Sequence, residues 1–128
     1  QPRLISDYMF YKSLIFARIN LPDDEFKLYS TLFNIIHERL PQPDLIVFLH
    51  CSAERALANV ALRGREYEGS IGLDYLKKIN NGYLTYFKTC PKDRILILNT
   101  SELDFVKNKK DFVEVRSVIG SYLSTISC

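Results

Sequence analysis

The sequence predicts an α/β domain with a parallel sheet, and three observations carry that prediction. Two continuous apolar runs of strand length, D-L-I-V-F-L-H (Asp44 to His50) and R-I-L-I-L-N-T (Arg94 to Thr100), show none of the alternation of a half-exposed strand, as expected for strands covered on both faces. Between them lies a long stretch of helical periodicity, and the order strand, helical crossover, strand describes parallel pairing. The 128 residues, 47% of them hydrophobic, suffice for one sizeable core and are too few for two ordinary domains, so residues 1–128 read as a single domain.

Each element follows from its local chemistry. R-L-I-S, Arg3 to Ser6, is expected to be the end of a strand, and Tyr8 to Ile19, apolar almost all round, a buried helix. From Pro22, backed by Asp23, Asp24 and Glu25, the residues Phe26, Tyr29, Leu32, Phe33, Ile36 and Leu40 recur at helical spacing until the Pro41 to Pro43 turn. Ser52 is placed to cap a helix whose stripe is Ala53, Leu57, Val60 and Ala61 and which ends at Arg63. Leu73, Leu76, Ile79, Tyr83 and Phe87 mark another amphipathic helix, and Phe112, Val115, Ile119 and Tyr122 one face of the last.

Composition excludes several classes. A net charge of +2 is too small for a polyanion partner, and Lys107, Lys109 and Lys110 read as a solvated helix start, so no nucleic acid is expected. No long apolar run and no secretory signal pattern is present, which predicts a cytoplasmic protein without membrane contact. Cys51, Cys90 and Cys128 form no C-x-x-C pair and read as incidental thiols. His37 and His50 read as structural or solvent-facing, and no metal-ligand cluster is evident.

Ligands of open parallel sheets gather at the carboxyl ends of strands, where Ser6 and Asp7, His50, and Asn99 and Thr100 are polar. Within the crossover, L-R-G-R-E-Y-E-G-S-I-G-L-D-Y-L (Leu62 to Leu76) sets Arg63 and Arg65 around Gly64 at a helix end, with Gly69 and Gly72 as further hinges. Guanidinium forks suit phosphate oxygens, and in phosphoryl transfer a well-placed arginine is worth about 10³ to 10⁵ in rate. Glu66 and Glu68 would repel phosphate and suit hydroxyls, so the mixture predicts a ligand carrying both. Arg-Gly is equally a common helix ending, favourable to the macrodipole, and residue types alone do not separate the two readings.

Four blocks in order, S-D-Y-M-F-Y-K-S-L-I-F-A-R-I-N-L, L-P-Q-P-D-L-I-V-F-L-H, R-G-R-E-Y-E-G-S-I-G-L-D-Y-L and I-L-I-L-N-T-S-E-L-D-F-V, resemble the C-terminal part of the bacterial deoxynucleoside kinases of the P-loop class, in their deoxyadenosine and deoxyguanosine kinase branch. The resemblance implies an incomplete P-loop-kinase-like parallel sheet with flanking helices and an arginine lid at about 63–72. It implies transfer of the ATP γ-phosphoryl group to the 5′-hydroxyl of a deoxynucleoside, with a purine as the expected base, with Mg2+, in a homodimer. By the same resemblance Arg63 and Arg65 contact phosphates and Asp7 lies near magnesium or the sugar. Glu68 binds the sugar 3′-hydroxyl, Phe16 lies against the base, Tyr67 is a candidate for the same pocket, and Asp104 and Phe105 clamp the ATP adenine through backbone groups.

The chain departs from the family pattern in three ways. Tyr8 follows Asp7 where many relatives carry an acid-Arg-Ser motif, Asn59 replaces an arginine one turn before the lid, and no G-x-x-x-x-G-K-[ST] loop occurs. In the family the strand preceding that loop lies between the third and fourth, so the strands expected here would flank a gap, and the 128 residues alone are expected to be inactive. Two rival readings are a thymidylate-type monophosphate kinase and a noncatalytic kinase-like interaction module.

Overall fold

In the computed structural model, which describes residues 4–65 and 69–126, the two apolar runs form the sheet. β1 (Ile46–His50) and β2 (Ile95–Asn99) pair in parallel, Ile46 opposite Ile95 and His50 opposite Asn99. The helices are α1 (Tyr11–Asn20), α2 (Asp23–His37), α3 (Ala53–Arg63), α4 (Leu73–Phe87) and α5 (Lys109–Ile126), with a 3₁₀ turn, Lys92–Arg94, leading into β2. The expected α/β class and parallel crossover are therefore present.

Local signals set the boundaries. Ser52 Oγ accepts the Arg55 N–H at 3.1 Å, satisfying one of the donors that a helix start leaves open. α3 ends because Gly64 turns left-handed, φ 63° and ψ 24°, and returns its N–H to the Ala61 carbonyl. α2 begins after Pro22, with Asp23, Asp24 and Glu25 in its first turn facing the positive end of the dipole.

The core is a chain of aromatic rings running from α2 to the sheet. Phe10 stacks on Phe33 at 4.8 Å, Tyr11 meets Phe33 edge-on, Tyr11 stacks on Tyr86 at 3.7 Å, and Phe87 and Tyr83 lie on Phe48 of β1 at 4.9 and 5.1 Å. Ile15, Ala17, Phe33, Ala53 and Phe87 are buried around it. At the base of the sheet the Tyr122 hydroxyl of α5 donates to the carbonyls of Lys92 and Ile95.

Three expectations are corrected. Residues 4–6 form no strand: Leu4 and Ile5 are 90% and 96% exposed, because no described strand adjoins them to take their backbone hydrogen bonds. β1 and β2 are not fully covered on both faces, since Leu49 and Ile97 remain exposed. α2 buries a narrower stripe than its periodicity suggests: α1 covers Phe33, while Leu28, Leu32, Ile35 and Ile36 face outward.

The tyrosines make the fold sensitive to alkali. Burial raises Tyr86 well above its ordinary value of 10.0, reinforced by its Cys90 and Tyr11 neighbours. Burial also raises Tyr11, aided by Cys90, and Tyr83, aided by Tyr8. The folded chain thus holds these protons to higher pH than the unfolded chain, so their stabilisation is complete below about pH 10 and fades as pH climbs through the folded values. Thermal unfolding between about pH 8 and about pH 11 is expected to show a falling Tm above pH 10, and Tyr86→Phe is expected to flatten that fall.

Candidate functional site

The site is built on one displacement, that of α4 relative to the strand it covers. Phe87 and Tyr83 pack on Phe48, and one turn earlier Asn80 Nδ2 donates to the Cys51 carbonyl at 3.1 Å, just past the end of β1. α4 therefore runs antiparallel to β1, and at 1.5 Å per residue its first seven residues, Leu73–Ile79, project roughly 10 Å beyond the strand's carboxyl end. α3 starts at that same end and packs along α4, which carries Arg63 to the outer end of the pair.

α1 lies antiparallel on α4: Tyr11 against Tyr86, Ile15 against Gly82, and Asn20 Nδ2 donating to the Tyr75 hydroxyl at 3.1 Å. This brings half-buried Phe16 level with the strand end and about two turns from the α4 terminus that follows the arginines. Lys12 Nζ sits 5.7 Å from the Phe16 ring, and the Arg18 guanidinium 4.8 Å from Phe26, so both cations are engaged with rings of their own helix pair.

At the strand ends the backbone is tightly fixed. Thr100, buried, donates its N–H and its hydroxyl to the His50 carbonyl at 2.7 and 3.2 Å, and the Ser52 N–H donates to Ser101 Oγ at 3.2 Å. Asn99 Oδ1 accepts the Ser101 N–H. His50 Nδ1 is buried with no partner among the described residues, an arrangement that costs about 1–3 kcal/mol until a partner arrives. Burial pushes the Cys51 thiol up despite the opposing pull of Arg55, which disfavours its thiolate form.

The expected site residues fall as follows. Arg63 and Arg65 are exposed on either side of Gly64, whose missing Cβ would meet nothing within 4 Å, so glycine is needed there for backbone conformation and not for space. Gly72 is no special hinge: at φ −102° and ψ 166° it adopts a conformation open to any residue. Glu66, Tyr67 and Glu68 lie outside the described residues. Asp7 is exposed on the segment before α1, and its neighbour Tyr8, also exposed, is close enough to Tyr83 of α4 to help raise that tyrosine. Asp104 and Phe105 lie in the loop beyond β2. There the Asp104 N–H donates to Asp111 Oδ2 at 2.9 Å, its carbonyl accepts from Asn108, and its Oδ1 accepts from Val106 and Lys107. The Phe105 main-chain groups have no partner among the described residues.

Periodicity did not point to Asn20, Tyr75, Asn80 or Asp111, which tie these pieces together. The sequence signal available was N-K-K-D, Asn108 to Asp111, which reads as a helix cap with an acid three residues on.

A parallel sheet with fixed strand ends, overhung by an arginine-bearing turn on a projecting helix pair, is the architecture of part of a P-loop-kinase-like α/β domain. The chain belongs to the deoxynucleoside kinase family, whose pattern it matches over residues 1–124. It is similar to the deoxyguanosine kinase of Bacillus subtilis, 29% identical over 116 residues that cover 88% of this chain and 56% of that protein. It is similar also to the deoxyadenosine kinase of Lactobacillus acidophilus, 27% identical over 95% of this chain and 63% of that protein. A third relative, the deoxyadenosine kinase of Dictyostelium discoideum, is 31% identical over 62% of this chain and 34% of that protein. The chain thus spans less than two thirds of the length of each of these relatives. Among the described residues no helix is long and apolar enough to cross a membrane.

Proposed function

We propose that this chain is the lid-bearing part of a cytoplasmic, homodimeric kinase that transfers the γ-phosphoryl group of ATP to the 5′-hydroxyl of a purine deoxynucleoside. The observation that carries the reading is the projection of α3 and α4 beyond the strand ends, with Arg63 at its outer end and Arg65 two residues on, while Phe16 stands level with the strand ends. In this reading the arginines grip the phosphoryl groups, where charge spreads in the transition state. Glu68 takes the sugar hydroxyl, Phe16 stacks on the base with Tyr67 beside it, and Asp7 lies at the sugar side. The loop of Asp104 and Phe105 receives the adenine of ATP, through the Phe105 main-chain groups, which have no partner among the described residues. The purine preference is supported by the names of the relatives, deoxyguanosine and deoxyadenosine kinases.

ATP of this kind travels with magnesium. Beside ATP that ion is held by phosphate oxygens and one or two carboxylates, and Asp7 is the carboxylate proposed for it here; among the described residues no group of three or more His, Cys, Asp or Glu side chains could hold a metal ion. The 128 residues contain no phosphate-cradling G-x-x-x-x-G-K-[ST] loop, and residues 1–128 by themselves are expected to show no turnover.

The test is an assay of the full-length protein with ATP and a panel of deoxyguanosine, deoxyadenosine, deoxycytidine, thymidine and thymidine monophosphate. Turnover of the purine deoxynucleosides in preference to the others is expected; preference for the monophosphate, or ATP binding without turnover of any of them, overturns the reading. Phe16→Ala is expected to raise KM for the deoxynucleoside by about tenfold, the scale of one lost base–ring stack, while KM for ATP stays put.

A further inference from the structure

We infer that Asp111 is a positioning residue for the donor nucleotide. The inference rests on the reading that the loop beyond β2 receives the ATP base, and deepens it. That loop has no regular secondary structure to hold it, and two carboxylates do so instead. Asp104 Oδ1 accepts the N–H groups of Val106 and Lys107, at 3.2 and 3.0 Å, curling the chain around its own side chain. Asp111, in the first turn of α5, reaches back seven residues and accepts the Asp104 N–H at 2.9 Å, in a half-buried setting.

An acid at this point of a helix start ordinarily serves the helix itself, by bonding the amide of its capping residue. Here Asn108 Oδ1 accepts the Lys110 N–H at 3.0 Å, and the Asp111 oxygen is spent on the loop. Asp104 therefore has both main-chain groups and one carboxylate oxygen engaged within residues 104–111. The next residue, Phe105, is left with main-chain groups that have no partner among the described residues. Asp111 thus fixes the peptide immediately before the one presented to the base. A charge-assisted bond of this kind, once lost, frees the loop to sample other turns, and the ordering cost then falls on ATP binding.

The experiment uses the full-length protein with Asp111→Ala, Asp111→Asn and Phe105→Pro, the last removing the Phe105 N–H. Asp111→Ala is expected to raise KM for ATP by about tenfold, with kcat and KM for the deoxynucleoside within about twofold. Asp111→Asn keeps an acceptor oxygen and is expected to restore most of the loss. Amide hydrogen exchange at Asp104, measured without nucleotide, should speed up in Asp111→Ala and not in Asp111→Asn. An unchanged KM for ATP in Asp111→Ala, equal damage from both Asp111 variants, or a matching rise in the deoxynucleoside KM overturns the inference. If Phe105→Pro raises KM for ATP and Asp111→Ala does not, the positioning role alone fails. If Phe105→Pro leaves KM for ATP unchanged, the assignment of this loop to the donor base fails with it.

Discussion

If the proposed kinase reading holds, replacing Arg63 or Arg65 with alanine is expected to lower kcat of the full-length protein by about 10³-fold or more, with a much smaller change in KM for the deoxynucleoside. The reason is where charge appears. In phosphoryl transfer negative charge spreads over the oxygens of the moving group, and a guanidinium held there stabilises the transition state more than the bound substrates. Arg63 closes α3, and the left-handed turn at Gly64 sets the direction in which Arg65 leaves the helix. Lysine at either position keeps the charge and loses the fork, so Arg65→Lys is expected to recover only part of the rate. Glu68→Ala is expected to act differently, raising KM for the deoxynucleoside as a lost sugar contact does. Steady-state kinetics on these variants checks both statements, and normal turnover by the two alanine variants removes the lid from the reaction.

The largest effect on stability is expected at Gly82. A Cβ built there lies 2.8 Å from Ile15 Cγ2, inside any contact real atoms adopt, because α1 and α4 meet at this point with the buried, β-branched Ile15 filling the space above the glycine. Gly82→Val is expected to cost about 2–3 kcal/mol by overpacking, only slightly relieved by the poorer helix propensity of glycine. Denaturant unfolding of the single and double variants measures this. Ile15→Ala alone should also destabilise, by leaving a cavity. Combined with Gly82→Val it should cost much less, because the added side chain fills the hole, so the pair is strongly non-additive. Because the same contact holds Phe16 level with the strand ends, Gly82→Val is also expected to raise KM for the deoxynucleoside.

What could be read from the chain depended on how local the controlling physics is. β1 and β2 were legible as unbroken apolar runs of strand length, although Leu49 and Ile97 remain exposed, and Ser52 and Gly64 were legible because a helix end exposes donors and acceptors that few residue types satisfy. The arginine pair was legible as a candidate only: residue types left a phosphate grip and a plain helix ending equally open, and the family resemblance is what favoured the first. Leu4 to Ser6 was misread because strand formation depends on a partner for the backbone, which a short apolar run does not reveal. The outward-facing Leu32 and Ile36 of α2 show the same limit: periodicity tells which residues share a face, and only packing tells how much of that face is covered. The overhang of α4 was invisible for a related reason. Its apolar stripe reads the same whether the helix ends level with β1 or projects beyond it, and the difference lies in the Asn80 to Cys51 hydrogen bond. Asp111 was legible only as an acid in a helix-cap pattern; that it bonds the Asp104 amide of the loop instead depends on how the loop folds back.

The central claim is that the turn at Gly64 holds its arginines over the strand ends in order to grip phosphate. A crystal structure of the full-length protein with ADP and a deoxynucleoside 5′-monophosphate tests it most directly. The guanidinium nitrogens of Arg63 and Arg65 are expected to lie within about 3 Å of phosphate oxygens, with the Phe16 ring against the base. Phosphates bound elsewhere, with both arginines turned away from them, would contradict it.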